Sequence, residues 1–451
     1  MKFEVTPTFV FEVHDAIKHH RRADVVKMLE PLHPADIAEL IKESWTHDSQ
    51  YVYNLLDGEK AAEVLMEMDD EVREKFITSL SSEQIAKHAD NLPSDDAADL
   101  IAELPDEKKK EVLEQMDDAE QASDIVDLLR YDEDSAGGLM ATELVTANLN
   151  WTVQQCIVEM RKQAEKVGSI YTVYVVDDDE KLFGILSLKR LLISPPEEKI
   201  EKIYFKDVIS INAAAKAEDV AALFEKYDLV VIPVIDITGK LLGRITVDDV
   251  MDVVREEATE DYQLMSGISE NIEADDNLWV SSRARLPWLM VALAGGVVGS
   301  RVLTSYEPQI QIHPEMAFFM PLIAAMGGNV GVQSSALVVQ GLANQTIGKG
   351  NIIPKLVREL GVGLFNGLIC AALLLGYNVV FNDFLALTVT VSVALLSVIV
   401  FAAIFGSFVP LALNKIKIDP ALATGPFITM SNDIVGLFIY FMIGRLMYGL
   451  F

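Results

Sequence analysis

A single carboxylate lies inside a long apolar run near the carboxyl-terminal end of the 451-residue chain. Asp433 ends the segment D-P-A-L-A-T-G-P-F-I-T-M-S-N-D, and apolar residues dominate from there to the last position. A lone Asp at the centre of a membrane helix is unfavourable by roughly 2.5–3.5 kcal/mol, so it rarely faces lipid. Nearby, Pro426 and Gly425 expose backbone carbonyls that can join the carboxylate around a cation. We predict that Asp433 faces a wet cation path; a buried pair with Arg445 or with the Asn329 region is the alternative.

A second polar pattern lies in an earlier apolar run, P-L-I-A-A-M-G-G-N-V-G-V-Q. Its glycines, including Gly328, allow close helix contact, while Asn329 and Gln333 lie one helical turn apart and can hydrogen-bond across helices or touch a hydrated ion. Packing alone accounts for the glycines better than for the two amides. Five helices with one central acid scarcely enclose a pore. We therefore predict a homodimer with two copies of Asp433 across a twofold axis.

Five apolar stretches are long enough to span a lipid bilayer. They lie near 286–304, 316–342, 359–381, 384–412 and 421–449. Lys and Arg occur at 283, 285, 349, 355, 358, 415 and 417, whereas the alternate loops at 305–315 and 382–383 contain neither. The positive-inside rule then predicts a multi-pass protein of the cell (inner) membrane with cytoplasmic amino-terminal domains and an external carboxyl terminus. The first thirty residues lack the apolar core of a signal peptide.

The charge is concentrated in the soluble half. Residues 1–282 contain 62 acidic and 28 basic side chains, a net charge of −34, whereas residues 283–451 carry +3. Such a surface repels nucleic acid and recruits cations, although solubility alone would also explain it. Cys156 and Cys370 give neither a disulfide framework nor metal-ligand spacing, as expected in a reducing cytoplasm. No Walker motif is present, and we predict that the protein is not an enzyme.

The first domain, residues 1–134, reads as an acidic all-α helical repeat. The segment H-P-A-D-I-A-E-L-I resembles the later L-P-S-D-D-A-A-D-L-I, each with Pro at a first helical position. Asp95, Asp96 and Asp99 fall within one helical turn. Such a cluster is either solvated or half of a metal site.

Residues 135–252 contain two copies of one α/β unit. The strands T-V-Y-V-V and V-V-I-P-V-I are each followed by a turn and a second strand, and each is preceded by a helix. This order resembles tandem CBS domains, which implies a pseudo-twofold pair whose cleft holds an adenine nucleotide such as ATP. The residues that match the nucleotide pattern, or could hold phosphate, are Ser187, Lys189, Arg190, Thr246 and Asp249. Arg190 stands where an acid is expected in the first copy, and nucleotide binding stays open.

A joining helix follows the second copy. Val247, Met251, Val254 and Tyr262 recur at helical spacing and predict an apolar stripe. Another face carries acids, and this helix leads into the membrane half, which favours a functional site over a solvated surface. The acids on that face are Asp249, Asp252, Glu256 and Glu260.

Taken together, these domains resemble the MgtE family of magnesium channels over nearly the whole chain. The most specific motifs are P-x6-G-N-x-G-x-Q, which starts at Pro321, and D-P-A-L-x2-G-P-x6-D, which runs from Asp419 to Asp433. The resemblance implies a homodimeric Mg²⁺-selective pore that cytosolic Mg²⁺ closes. The matching sensor positions are Asp95, Asp99, Glu218, Asp228, Asp249, Asp252, Glu257, Glu260 and Asp261. Lys216 stands where another acid is expected.

The sequence thus predicts a multidomain protein. Its parts are an all-α helical-repeat domain (1–134), an α/β tandem CBS pair (135–252), a connecting helix (253–282) and an α-helical membrane domain with five transmembrane helices (283–451). A proton-coupled divalent-cation carrier, in which Asp433 alternates protonation, is one alternative. A membrane-anchored CBS nucleotide sensor is another, but an anchor has no use for polar residues at membrane depth.

Overall fold

The computed structural model describes residues 3–164, 167–270, 272, 277–343, 352–381, 385–423 and 425–450. It divides into two compact units, Met1–Val254 and Arg255–Phe451.

Short amphipathic helices build the first part of the soluble unit. Proline opens α1 and α3, where its missing N–H costs nothing, and Ser81 forms a capping box at α7. The helices bury one continuous apolar core, which includes Leu40, Leu65 and Leu100. Their bounds are α1 Pro7–Lys18, α2 Arg22–Leu29, α3 Pro34–Glu43, α4 Thr46–Tyr53, α5 Gly58–Met66, α6 Asp70–Ser79, α7 Ser82–Ala89, α8 Ser94–Ala102, α9 Asp106–Gln115 and α10 Ala119–Leu128.

Two small mixed sheets follow, one in each copy of the duplicated unit. The first copy has β1 Thr146–Asn148, α11 Val153–Gln163, β2 Val173–Val176, β3 Leu182–Leu186, α12 Leu188–Ile193 and α13 Ile200–Ile203. The second has β4 Ile211–Asn212, α14 Ala217–Tyr227, β5 Val231–Ile235 and β6 Leu241–Thr246. In each sheet the first strand pairs parallel to the second, and the third pairs antiparallel to it. Strands β1 and β4 were missed from the sequence because they are too short to show periodicity.

The two copies meet through a reciprocal pair of backbone hydrogen bonds. Leu182 N–H donates to the Gly239 carbonyl at 3.0 Å, and Leu241 N–H donates to the Glu180 carbonyl at 3.0 Å. Because equivalent positions exchange equivalent bonds, the pair has the pseudo-twofold relation expected of a tandem duplication.

Helix α15, Val247–Met265, begins directly after β6 and crosses from the soluble into the membrane unit. The stripe predicted from the sequence does not face the interior: Met251 is 61% exposed and Tyr262 is 73% exposed. The buried apolar side chains are instead Val250, Val253 and Leu264. The helix therefore presents apolar surface on the exposed side of the single chain, which spacing alone could not reveal.

Five long apolar helices make up the described membrane unit, as predicted. They are α16 Leu278–Ser305, α18 Met320–Ala343, α19 Ile352–Phe381, α20 Leu385–Lys415 and α21 Gly425–Tyr448; the short α17 Glu307–Ile312 and the 3₁₀ turns Pro314–Phe319 and Pro420–Ala423 connect some of them. Helix α20 is the most buried and packs on α18, α19 and α21. A Cβ on Gly406 would lie 2.3 Å from the Gly331 carbonyl oxygen, so α20 and α18 touch backbone to backbone there.

Candidate functional site

Asp433 lies half-buried on α21 and lines a cavity of about 650 Å³. The cavity walls include Gly295 and Gly299 of α16, Ala324 of α18, and Thr429 of α21. Within the described chain the carboxylate has neither an ion pair nor a hydrogen bond, so the alternative pairing with Arg445 or Asn329 is not formed. A carboxylate directed into a cavity without a protein partner is placed to attract a cation.

Gly328 brings α18 close to this carboxylate. A Cβ at this position would lie 3.2 Å from the Thr429 methyl group and 3.5 Å from Asp433 Oδ1. A larger side chain would therefore occupy the space beside the carboxylate. The structure brings together these two predicted pore residues, Gly328 and Asp433.

The other two predicted pore residues lie elsewhere on α18. Asn329 and Gln333 are exposed, whereas Gly331 and Ser335 on the same helix are buried. Neither amide lines the cavity beside Asp433. One described chain therefore leaves these two amides exposed on the outer face of α18.

Sequence reasoning missed Asn432, which precedes Asp433 in the chain. Its side chain is only 1% exposed, and its amide nitrogen and oxygen have no hydrogen-bond partner among the described residues. The amide rests on Gly331: a Cβ there would lie 1.8 Å from Asn432 Nδ2. Its position beside an acid at membrane depth was the only available signal.

A cluster of acids forms the second candidate site, in the soluble unit. Burial raises the pKa of Asp95 well above its usual range, and the nearby carboxylates of Asp249 and Asp96 add to the effect. The same causes, burial first and neighbouring acids second, raise the pKa of Asp96 to about 6 and that of Asp99 to about 7. Asp249, at the start of α15, thus lies close to three acids of α8. Two segments that are far apart in sequence meet here with like charge.

Asp249 also has a local hydrogen-bonding role. Its Oδ2 accepts the Thr246 hydroxyl at 2.7 Å and the Thr246 backbone N–H at 3.0 Å. These bonds lower its pKa, but burial raises it more. Thr246 therefore fixes the direction in which Asp249 faces the acids of α8.

Of the remaining sensor candidates, Asp252 adjoins this cluster, because its carboxylate adds to the rise that burial causes in the pKa of Asp249. Glu218 and Asp228 stand at opposite ends of α14, on the order of 15 Å apart at 1.5 Å per residue, so one ion cannot bind both directly. Lys216 occupies the position at which another acid was expected, and its ammonium lies 3.8 Å from the Glu218 carboxylate. Asp252 is exposed in the soluble unit. Four candidates lie on the α15 segment that belongs to the membrane unit, namely Glu256, Glu257, Glu260 and Asp261.

The donor set of the cluster suits a hydrated dication. Buried carboxylates that repel each other are stabilised by a cation between them, and oxygen ligands are those that Mg²⁺ prefers. In the part of the chain that the structure describes, no three acidic, histidine or cysteine side chains are arranged to hold a metal directly. Binding through the ion's water shell is the mode compatible with this geometry.

The predicted nucleotide residues divide between the two copies. In the first, Ser187 Oγ accepts the Arg190 N–H at 3.3 Å, and the Arg190 guanidinium lies 4.6 Å from the centre of the Phe205 ring. In the second, Thr246 and Asp249 bond to each other. Lys189 is exposed in the first copy. A nucleotide site at these residues stays a prediction.

The raised pKa values predict an unusual pH dependence. In metal-free buffer, the free energy of unfolding of the soluble half should increase by about 2 kcal/mol as the pH falls from 8 to 5.5. The native carboxyls of Asp96 and Asp99 take up protons near pH 6 and 7, whereas unfolded Asp does so near 3.8. Acidification therefore removes buried charge, and the repulsion between neighbouring acids, in the native state only. Burial lowers the pKa of His88. This residue therefore opposes the gain in stability once the pH falls below the usual pKa of histidine.

Urea unfolding of the full chain, followed by tryptophan fluorescence, measures this dependence. The paired variant Asp96→Asn, Asp99→Asn should be more stable at pH 8 and lose most of the gain. An equal gain in the variant would contradict the assignment of the pH dependence to this cluster.

An acidic helical domain, a CBS-type pair and five membrane-spanning helices, with a carboxylate that has no ion pair among the described residues, define a membrane protein of the cation-transporter class. The comparisons with known proteins narrow this class to one family. Its model, described as a divalent cation transporter, matches residues 320–443; models of the MgtE intracellular N domain and of the CBS domain match residues 32–134, and 136–196 and 200–256. The chain belongs to the MgtE family, and the predicted family and fold class are confirmed.

Two relatives named magnesium transporter MgtE resemble nearly the whole chain. The protein of Bacillus subtilis is 33% identical over 93% of this chain and 92% of its own length. That of Thermus thermophilus is 32% identical over 93% of this chain and 94% of its own length. The crystal structure of the cytosolic domain of the Mg²⁺ channel MgtE in complex with ATP matches 54% of this chain and 99% of that domain, with 31% identity and a TM-score of 0.51.

Proposed function

We propose that the chain forms a homodimeric, Mg²⁺-selective channel of the cell (inner) membrane that closes when cytosolic Mg²⁺ binds its acidic surfaces. The observation that carries the proposal is the Asp433 carboxylate, which is directed into a cavity and has no protein partner in the described chain. The magnesium transporters to which the chain is similar support the choice of ion.

The chemistry of Mg²⁺ fits this path. The ion requires six oxygen ligands in octahedral geometry and sheds water reluctantly, so it crosses most readily with part of its water shell. Asp433 supplies the charge, and Gly328 leaves space beside it for the hydrated ion. The amides of Asn329 and Gln333 can hydrogen-bond to the ion's waters in a path that two chains complete.

Exposed surface in the single chain supports the homodimer. The outer face of α18 presents Asn329 and Gln333, and α15 presents Met251 and Tyr262. Polar side chains at membrane depth are costly next to lipid, and exposed apolar side chains on a soluble helix are typical of an interface. A twofold axis beside α18 and α21 would cover the amides and place two Asp433 side chains along one path.

Repulsion among the acids supplies the gating force. Two charges about 6 Å apart at an effective dielectric near 20 repel by roughly 3 kcal/mol. When free Mg²⁺ is scarce, the acids of α8 push away from Asp249 and α15 can move. Bound Mg²⁺ reverses the sign and holds the closed arrangement, which gives negative feedback without a nucleotide as fuel.

Mg²⁺ flux into liposomes, with internal Mg²⁺ varied, tests the proposal. Flux should fall as internal Mg²⁺ rises toward millimolar concentration. A variant with Asp249→Asn, Asp252→Asn, Glu257→Gln and Glu260→Gln should keep conducting and lose Mg²⁺-dependent protection from protease, because it has lost the ion's ligands. If the variant closes and is protected like the native chain, the gating proposal fails.

The positive-inside orientation is checked in the same vesicles. A tag after Phe451 should be accessible only from the face of the membrane opposite the soluble half.

A further inference from the structure

The loop that leads into the first CBS copy reaches the amino-terminal end of α8. Glu143 Oε1 accepts the Ser94 backbone N–H at 2.9 Å, and Oε2 accepts the Ser94 hydroxyl at 3.0 Å. The N-cap residue of α8 is Pro93, which has no side-chain group that could cap the helix. A carboxylate from another domain therefore satisfies the first N–H of this helix, where negative charge is favourable.

Thr142 completes the contact. Its backbone N–H donates to Ser94 Oγ at 2.8 Å, and its Oγ1 lies 3.1 Å from Asp124 Oδ2 on α10 and 3.0 Å from Ser94 Oγ. Each hydroxyl has one proton, so Ser94 donates to Glu143 and Thr142 donates to Asp124. Ser94 is 0% exposed. The contact is thus a partly buried network of direct hydrogen bonds between two domains.

We infer that Ser94, Thr142 and Glu143, here called the latch, hold the helical domain on the CBS pair without metal and set the Mg²⁺ concentration at which the channel closes. The inference rests on the proposed gating. Asp95 and Asp96 directly follow Ser94 in α8. Fixing Ser94 therefore determines which acids face Asp249.

The latch and the acids have opposite effects on docking. The latch favours the docked arrangement at every Mg²⁺ concentration, whereas the acids oppose it until ions bind. Closure therefore requires enough bound Mg²⁺ to overcome the part of the repulsion between the acids that the latch does not offset. A weaker latch should therefore raise the requirement and leave flux through the open channel unchanged.

Thr142→Val tests the latch because it removes one hydroxyl without changing charge and nearly preserves shape. Loss of a hydrogen bond to a carboxylate should shift docking roughly 10- to 150-fold. The Mg²⁺ midpoint of protease protection in the full chain should rise by that factor if one ion drives docking, or by its square root if two do. The midpoint of flux inhibition in liposomes should move in parallel, and Thr142→Ser should restore both.

Thr78→Val is the matched control, since Thr78 on α6 donates only to the Glu74 carbonyl in its own helix. Ser94→Ala provides a second test in case one variant folds poorly, which melting temperature would reveal. Unchanged midpoints in both Thr142→Val and Ser94→Ala, with native melting temperatures, would overturn the latch while leaving gating intact. A native chain without any Mg²⁺-dependent protection would instead remove the proposed gating, and the inference with it.

Discussion

Asp433→Asn is expected to reduce Mg²⁺ flux at least roughly 15-fold while the protein still folds. A dication about 5 Å from a carboxylate is attracted by roughly 1.7 to 7 kcal/mol for effective dielectrics from 80 down to 20, and even the lower value corresponds to this loss. Asn has nearly the same size as Asp. Because Asp433 has no hydrogen bond or ion pair in the described chain, the substitution breaks no internal contact. Flux into liposomes that contain a Mg²⁺-sensitive dye measures the result.

Two controls separate pore charge from other effects. Asp433→Glu keeps the charge and should retain part of the flux, limited by the space beside Gly328. Glu359→Gln removes a carboxylate near the start of α19, away from the cavity lining, and should conduct like the native chain. Native flux through Asp433→Asn would exclude this carboxylate as the main charge on the path.

The sequence predicted the structure correctly where an apolar run or a repeated pattern extended over many residues. Five apolar runs predicted the membrane helices, and the repeated strand pairs predicted the duplicated α/β unit. Helix bounds were less accurate: α16 begins at Leu278, whereas hydropathy placed the first span near 286, because the helix continues through a polar segment that contains Arg283 and Arg285. Local composition marks apolar surface and cannot mark where backbone hydrogen bonding stops.

Contacts between distant segments could not be predicted from composition. Nothing in the loop near Glu143 indicates that it caps a helix 49 positions earlier in the chain. Likewise, the acids of α8 and Asp249 were both candidates, but their proximity depends on how the helical domain packs on the CBS pair. The exposed stripe of α15 and the buried amide of Asn432 have the same origin, since tertiary packing selects which face of a helix is covered.

Close packing behind the pore carboxylate gives the second large expected effect. Gly331→Ala should reduce flux roughly fivefold or more, because overpacking a tight helix contact costs about 1–3 kcal/mol or displaces a helix. The new methyl would lie 1.8 Å from Asn432 Nδ2 and 2.9 Å from Ile428 Cγ2, both on α21. On the opposite side of α18, Gly406 of α20 packs against the Gly331 carbonyl. Helix α18 therefore cannot move away from α21. Helix α21 must therefore shift, and Asp433 shifts with it.

A second substitution should reverse this loss. Asn432→Ala removes the amide that the methyl would strike, and it breaks no hydrogen bond because the amide has none among the described residues. The double variant Gly331→Ala, Asn432→Ala should therefore regain flux to within a few-fold of the native chain, whereas additive damage would place the double variant below both single ones. Gly376→Ala is the matched control, since a Cβ at that position of α19 meets no atom within 4 Å. Liposome flux is measured for the native chain, the two single variants and the double variant. Native-like flux through Gly331→Ala, or no recovery of flux in the double variant, would show that the Gly331–Asn432 contact does not position Asp433.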